Sequence, residues 1–257
     1  MKLSPQELKE FLDEKYEQYN RFHFIESDPI SIPHRFIKKE DIEIAGFLTA
    51  AIAWGQRITI INNATKLMQL MENAPHEFIL NASNTDLKHF QTFVHRTFNG
   101  IDATFFIKSL QNIYKHHGGL EHTFTSTTNE NACLEAIVNF RNTFFSISHP
   151  ARTEKHVSNP AANSSSKRLC MYLRWMIRKD KKGVDFGIWK NSISMSELMC
   201  PLDVHTGNVS RKLGLLKRSQ NDWKAVNELS DNLRKLDPKD PIKYDFALFG
   251  LGVFEKF

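Results

Sequence analysis

The chain has 257 residues, enough to bury the core of one large domain or two smaller lobes. Hydrophobic residues make up 41%, and 20 Phe stand against 11 Gly and 9 Pro, which excludes a disordered chain and argues against a many-stranded β fold. A net charge of +5 suits a polyanion partner without requiring one. The three cysteines, Cys133, Cys170 and Cys200, are far apart and form no CxxC pair, which gives no support to a disulfide framework or a Cys-ligated metal cluster and points to a reducing compartment.

Met1 to Glu7 reads as the start of a polar helix rather than a signal peptide: Ser4 caps, Pro5 enters the first turn and Glu7 completes a capping box. No apolar run approaches the roughly 20 residues that cross a bilayer, so the expectation is a cytoplasmic, nucleoid-associated protein with no membrane partner. Residues 21–40 are irregular. From Asp41, Ile44, Phe47, Leu48, Ala51 and Ile52 recur at helical spacing and predict a buried helix. Trp54-Gly55-Gln56-Arg57 interrupts it. A second helix follows on Ile60, Ala64, Leu67 and Met68, and Pro75 opens a third. Residues 85–126 are read as further helices carrying Phe90, Phe93, Phe98, Phe105 and Phe106, ending at Gly118-Gly119. Glu135 to Phe145 is another helix. Ser146 to Ser166, rich in Ser, Pro, Asn and His, reads as an exposed functional loop. Lys167 to Ile177 is a helix, 179–200 a charged stretch, and Asp222 and Asp240-Pro241 introduce the last two helices. The fold class is all-α, expected as two helical lobes, approximately 40–130 and 1–39 with 131–257, with a cleft between them.

Two features carry chemistry. Lys167 stands in the first turn of its helix, directly after Ser164-Ser165-Ser166 and beside Arg168. A Lys amine attacks carbon only when neutral, and the positive helix end, a neighbouring cation and burial all favour that form. Asp203 sits at a helix mouth, two residues before His205, where a carboxylate takes up a proton or stabilises developing positive charge. Most helix-start lysines are merely solvated and most such aspartates merely cap, so each is weak alone. The 36 residues separating them allow a helix, an excursion and a return. After Asp203 the exposed helix face offers His205, Asn208, Ser210, Arg211 and Lys212, suited to phosphate. No set of metal ligands at workable spacing is evident, and no metal or organic cofactor is expected.

The Asp203-Val204-His205 run, preceded by Leu202 and followed by Val209 and Lys212, resembles the helix-hairpin-helix DNA glycosylase superfamily, which includes endonuclease III, the adenine glycosylases and the 8-oxoguanine glycosylases. Ala45 to Gln56, then Asn62 to Leu67, resembles the early helix pair of endonuclease III, and Tyr244 to Gly252 is similar to a late helix of the superfamily. The resemblance covers roughly residues 40–257. Lys167 to Met176 also resembles a run kept by an uncharacterised bacterial family. The superfamily resemblance implies a Schiff-base Lys at Lys167 assisted by Asp203, and a wedge at Gln56 or Arg57. It also implies DNA contacts from Ser164, Ser165, Ser166, Arg168, His205, Asn208 and Arg211. Three departures stand out: the Gly-rich hairpin turn is replaced by Asn159 to Ser166, the Lys-to-Asp gap is long, as in archaeal 8-oxoguanine glycosylases, and the iron–sulfur cysteines are missing.

The resulting expectation is a monomeric DNA base-excision glycosylase, with a possible AP-lyase step, acting on duplex DNA with an oxidised purine such as 8-oxoguanine. Phe186, Trp189, Phe246 and Phe249 are base-pocket candidates by stacking. The alternative is a non-catalytic DNA- or RNA-binding protein, and a second rival is a metal-dependent nuclease using Asp185 and Asp203.

Overall fold

Ser4 and Glu7 do start the first helix. The Glu7 amide donates to Ser4 Oγ at 3.3 Å, and the Ser4 amide donates to the Glu7 carboxylate at 2.7 Å. In the computed structural model, which describes residues 3–127 and 131–257, this is α1 (Pro5–Tyr19), followed by α2 (His23–Glu26), α3 (Lys39–Ala51), α4 (Arg57–Leu70) and α5 (Pro75–Asn81). A hairpin of β1 (Val94–His95) and β2 (Phe98–Asn99) precedes α6 (Gly100–His116), α7 (Leu120–Thr123) and α8 (Ala132–Phe144). The chain ends with α9 (Lys167–Ile177), α10 (Val204–Lys212), α11 (Trp223–Leu236) and α12 (Tyr244–Val253). The protein is mostly helical, and short 3-10 turns lie between several of the α-helices. No helix among the described residues is long and apolar enough to cross a membrane.

The chain forms two compact units, Met1–Phe24 with Asn159–Phe257, and Ile25–Ser158. Residues 25–39 and 131–158 therefore pack with the 40–130 segment rather than with the C-terminal one.

The Ile25–Ser158 unit is built on rings. Phe106 stacks on Phe47 at 5.7 Å between centroids, Phe140 meets Phe47 edge-on at 5.1 Å, and Phe144 meets Phe106 at 4.8 Å. Two details depart from the sequence reading. Residues 93–99 form a hairpin instead of a helix, because Phe93, His95 and Phe98 turn inward while Val94 points out, an alternation of period two. The 146–166 stretch is not an open loop: Thr153 is buried and donates to Asp102 at 2.8 Å, His156 lies under Trp54, and Arg141 donates to the Val157 carbonyl.

The other unit packs α1 and α10 against α12. Gly250 permits the first contact, since a Cβ there would lie 2.1 Å from the Tyr19 ring. Its α9 is buried from Tyr172 to its C-terminal end, with Arg174 inside that run and Arg178 buried at its C-cap. Arg178 donates to Asp240, Asp180, Asp185 and the Tyr16 hydroxyl, and Arg174 pairs with Asp185 at 3.2 Å and Asp245 at 2.5 Å.

Candidate active site

Two helix starts meet at the candidate site. α9 opens on Lys167 itself, after a turn in which Asn163 (φ 63°) and Ser166 (φ 46°) take the left-handed conformation normally left to glycine. Asp203 caps α10: its Oδ1 accepts from the Thr206 amide at 2.9 Å. Its other oxygen, Oδ2, lies 3.1 Å from Lys167 Nζ. Both side chains remain partly accessible, at 29% and 22%. One carboxylate oxygen anchors the helix and the other faces the amine.

Burial pushes the Asp203 carboxyl upward, but the Lys167 ammonium and the Thr206 amide outweigh it and hold the group below its ordinary value. Asp203 is therefore ionised and able to accept a proton. Asp245 behaves in the opposite way. Burial raises it to about 6 against the pull of Arg174, and the Asp203 charge adds to the rise. Cys200, three residues before Asp203, points its thiol at Asp245 Oδ1 at 3.9 Å, and burial raises that thiol well above its ordinary value. Nothing local in the sequence marks Asp245, and Cys200 stands there only as one of three separate cysteines. The available signal is Arg174 and Arg178, four residues apart amid the buried apolar run at the C-terminal end of α9.

A family model described as "Protein of unknown function (DUF2400)" matches residues 28–254. The chain belongs to the DUF2400 family. No curated protein and no solved structure matches it. Because the family description names no activity, the chemistry of this DUF2400 member rests on its own residues.

The remaining candidates divide by environment. Gln56 is exposed at the N-cap of α4, directly after Gly55 (φ 104°), and Arg57 is half-buried beside it; both belong to the Ile25–Ser158 unit. His205 and Asn208 are exposed on α10. Arg211 is engaged within its own unit, donating to the Arg218 carbonyl at 2.8 Å and to Asn221 Oδ1 at 2.6 Å. Arg168 is half-buried, and burial lowers its guanidinium to about 10, which leaves it a cation at neutral pH. Ser164 and Ser165 are half-buried, whereas Ser166 is buried and turns its hydroxyl inward to the Ser164 carbonyl.

Among the aromatic residues, Phe246 is core: Arg174 lies over its ring at 4.3 Å, and Phe24 and Tyr16 meet it edge-on. Trp189 is buried against Tyr172. Phe186 and Phe249 are half-buried. Asp185 is fully buried between Arg174 and Arg178, so its carboxylate is not presented to a ligand. Among the described residues no group of three or more His, Cys, Asp or Glu is placed to share an ion. A cavity of about 560 Å³ beside α6, reaching Ser83, Lys108 and Lys115, involves none of the predicted site residues.

Proposed function

We propose that this DUF2400 protein is a DNA base-excision glycosylase with an associated AP-lyase step, acting on an oxidised purine such as 8-oxoguanine in duplex DNA. The observation that carries the reading is the 3.1 Å approach of Lys167 Nζ to Asp203 Oδ2 at two adjoining helix starts. Asp203 takes the proton from Lys167, and the neutral amine attacks C1′ of the deoxyribose. The C1′–N bond to lysine forms as the bond to the base breaks, and the departing base carries off the electron pair and gains a proton. Asp203 passes the proton it took from Lys167 to the departing base, and the carboxylate so restored offsets the positive charge on the sugar and its new bond to nitrogen. Ring opening leaves an iminium at C1′, loss of a C2′ proton expels the 3′ phosphate, and water releases the lysine.

The positive helix starts, with exposed His205 and Asn208 on α10, suit contacts to the DNA backbone. Exposed Gln56 suits the gap left by an extruded base, and half-buried Phe186 and Phe249 are the aromatic candidates for stacking. The deciding experiment is borohydride trapping on a duplex carrying 8-oxoguanine, with wild type beside Lys167→Gln. An adduct formed by wild type alone is the expected result. No adduct across a panel of lesions, with DNA binding intact, would leave a non-catalytic binding module on this fold.

A further inference from the structure

We propose that Asn221 is a positioning residue for the Lys167–Asp203 pair, and that Asn221-Asp222-Trp223 braces both halves of the site at once. This rests on the reading of the pair as catalytic.

The first half is Asp203. Asn221 Nδ2 donates to the Asp203 carbonyl at 3.0 Å, while its Oδ1 accepts from Arg211 Nη2 at 2.6 Å. The amide is thereby fixed in one orientation, with its donor toward Asp203 and its acceptor toward Arg211. Gly207 leaves room for it, since a Cβ at that position in α10 would lie 2.9 Å from Asn221 Oδ1. The second half is the turn that launches Lys167. The Trp223 amide donates to the Asn163 carbonyl at 3.2 Å, Asn163 Nδ2 donates to Asp222 Oδ2 at 3.1 Å, and Ser164 pairs with Asp222 as an isolated antiparallel bridge. Arg218 holds Asp222 through both carboxylate oxygens.

Three consecutive residues therefore touch the backbone of both site segments, which are otherwise 36 residues apart in the chain. An Asn whose only task was to fill a surface turn has no need for an arginine to fix its amide. The carboxylate of Asp203 already has two partners, so its direction depends on where the backbone at 203 is held. Loss of the Asn221 bond frees that backbone, and a misplacement of the order of 1 Å is enough to slow an oriented reaction by tenfold or more.

The test uses the full chain in four forms: wild type, Asp203→Asn, Asn221→Ala and Asn221→Asp. The last keeps an acceptor for Arg211 but removes the donor to Asp203, so it isolates the bond even if Asn221→Ala folds poorly. One readout does not depend on catalysis. Lysines are reductively methylated with ¹³C, and the Lys167 signal is assigned by its loss in Lys167→Gln. In the Asn221 variants that signal is expected to move from the wild-type position toward that of Asp203→Asn. The second readout is the rate of borohydride trapping, expected to fall about tenfold or more. A Lys167 signal unchanged in both Asn221 variants overturns the brace. If wild type traps no DNA, the glycosylase reading fails while the methyl signal still decides whether Asn221 sets the pair.

Discussion

The two units solve the problem of a core in different ways. Ile25–Ser158 fills its interior with stacked and edge-on phenylalanines, and its buried carboxylates Glu43 and Asp102 stand apart from one another: Glu43 accepts from the Tyr114 hydroxyl, and Asp102 accepts from the Asn99 amide and Thr153. The other unit buries Arg174, Arg178, Asp185 and Asp245 together along and beside α9, the helix that begins with Lys167. Buried ion pairs add little net stability over a well-packed apolar core, because the desolvation of each charge consumes most of the attraction. The Phe-rich unit is what a chain selected for packing alone produces. The charged one carries a constraint beyond packing, and it lies in the unit that holds the candidate site.

Removing one large side chain from each core sharpens the contrast. Arg178→Ala and Phe140→Ala should each cost about 3–5 kcal/mol, the first by leaving buried carboxylates unpaired and the second by opening a cavity. Their pH responses should differ. Without Arg178, the buried Asp185 is relieved by taking up a proton, so the cost of Arg178→Ala should be smaller at pH 5 than at pH 7.5. The cost of Phe140→Ala should be the same at both. Urea unfolding midpoints of both variants at the two pH values measure this, and equal pH responses would remove the distinction between the cores.

Much of this organisation is legible from residue order. The spans of α3, α4 and α9, the Pro75 start of α5 and the Ser4 and Asp222 caps follow from periodicity and capping chemistry, whereas the 36-residue spacing allows the approach of Lys167 to Asp203 without requiring it. The charged core is not legible in the same way. Arg178 meets Asp240 and Arg174 meets Asp245 across 62 and 71 residues, and no local pattern links such partners. The hairpin at 94–99 is two residues per strand, too short for alternation to stand out among neighbouring Phe-rich helices. Asn221 carried even less signal, because a polar residue before a helix cap looks the same whether or not it reaches another segment.

Asp245 offers a subtler test of the same comparison. Its carboxyl titrates near 6 in the folded chain against an ordinary 3.8. Between those values the folded state holds a proton that the unfolded state has released. Its contribution therefore favours folding at low pH and is lost as pH rises from about 4 to 6, by at most about 1.4 kcal/mol per unit. Asp203, held below its ordinary value, acts with the opposite sign: its contribution is complete above that value and fades in more acidic solution. Asp245→Asn should remove this contribution, so that between pH 4 and 6 the melting temperature of the variant changes more favourably with rising pH than that of wild type, with the acid-side loss kept. An identical slope in variant and wild type would mean that Asp245 is ionised throughout.

The smallest effect concerns the turn before Lys167. Ser166 is buried in a left-handed conformation that costs a non-glycine residue about 1 kcal/mol, and its hydroxyl makes only a long bond of 3.4 Å to the Ser164 carbonyl. Ser166→Gly relieves that cost but adds freedom to the unfolded chain, so the net change should lie within about 1 kcal/mol. Ser166→Val keeps the strain and adds a branched side chain in a buried turn, so it should destabilise by roughly 1–3 kcal/mol. If the turn matters only for launching α9, Ser166→Gly should trap DNA at the wild-type rate. If trapping falls while stability holds, the serine contributes to the site itself, and the charged unit has spent backbone strain as well as buried charge on holding Lys167 in place.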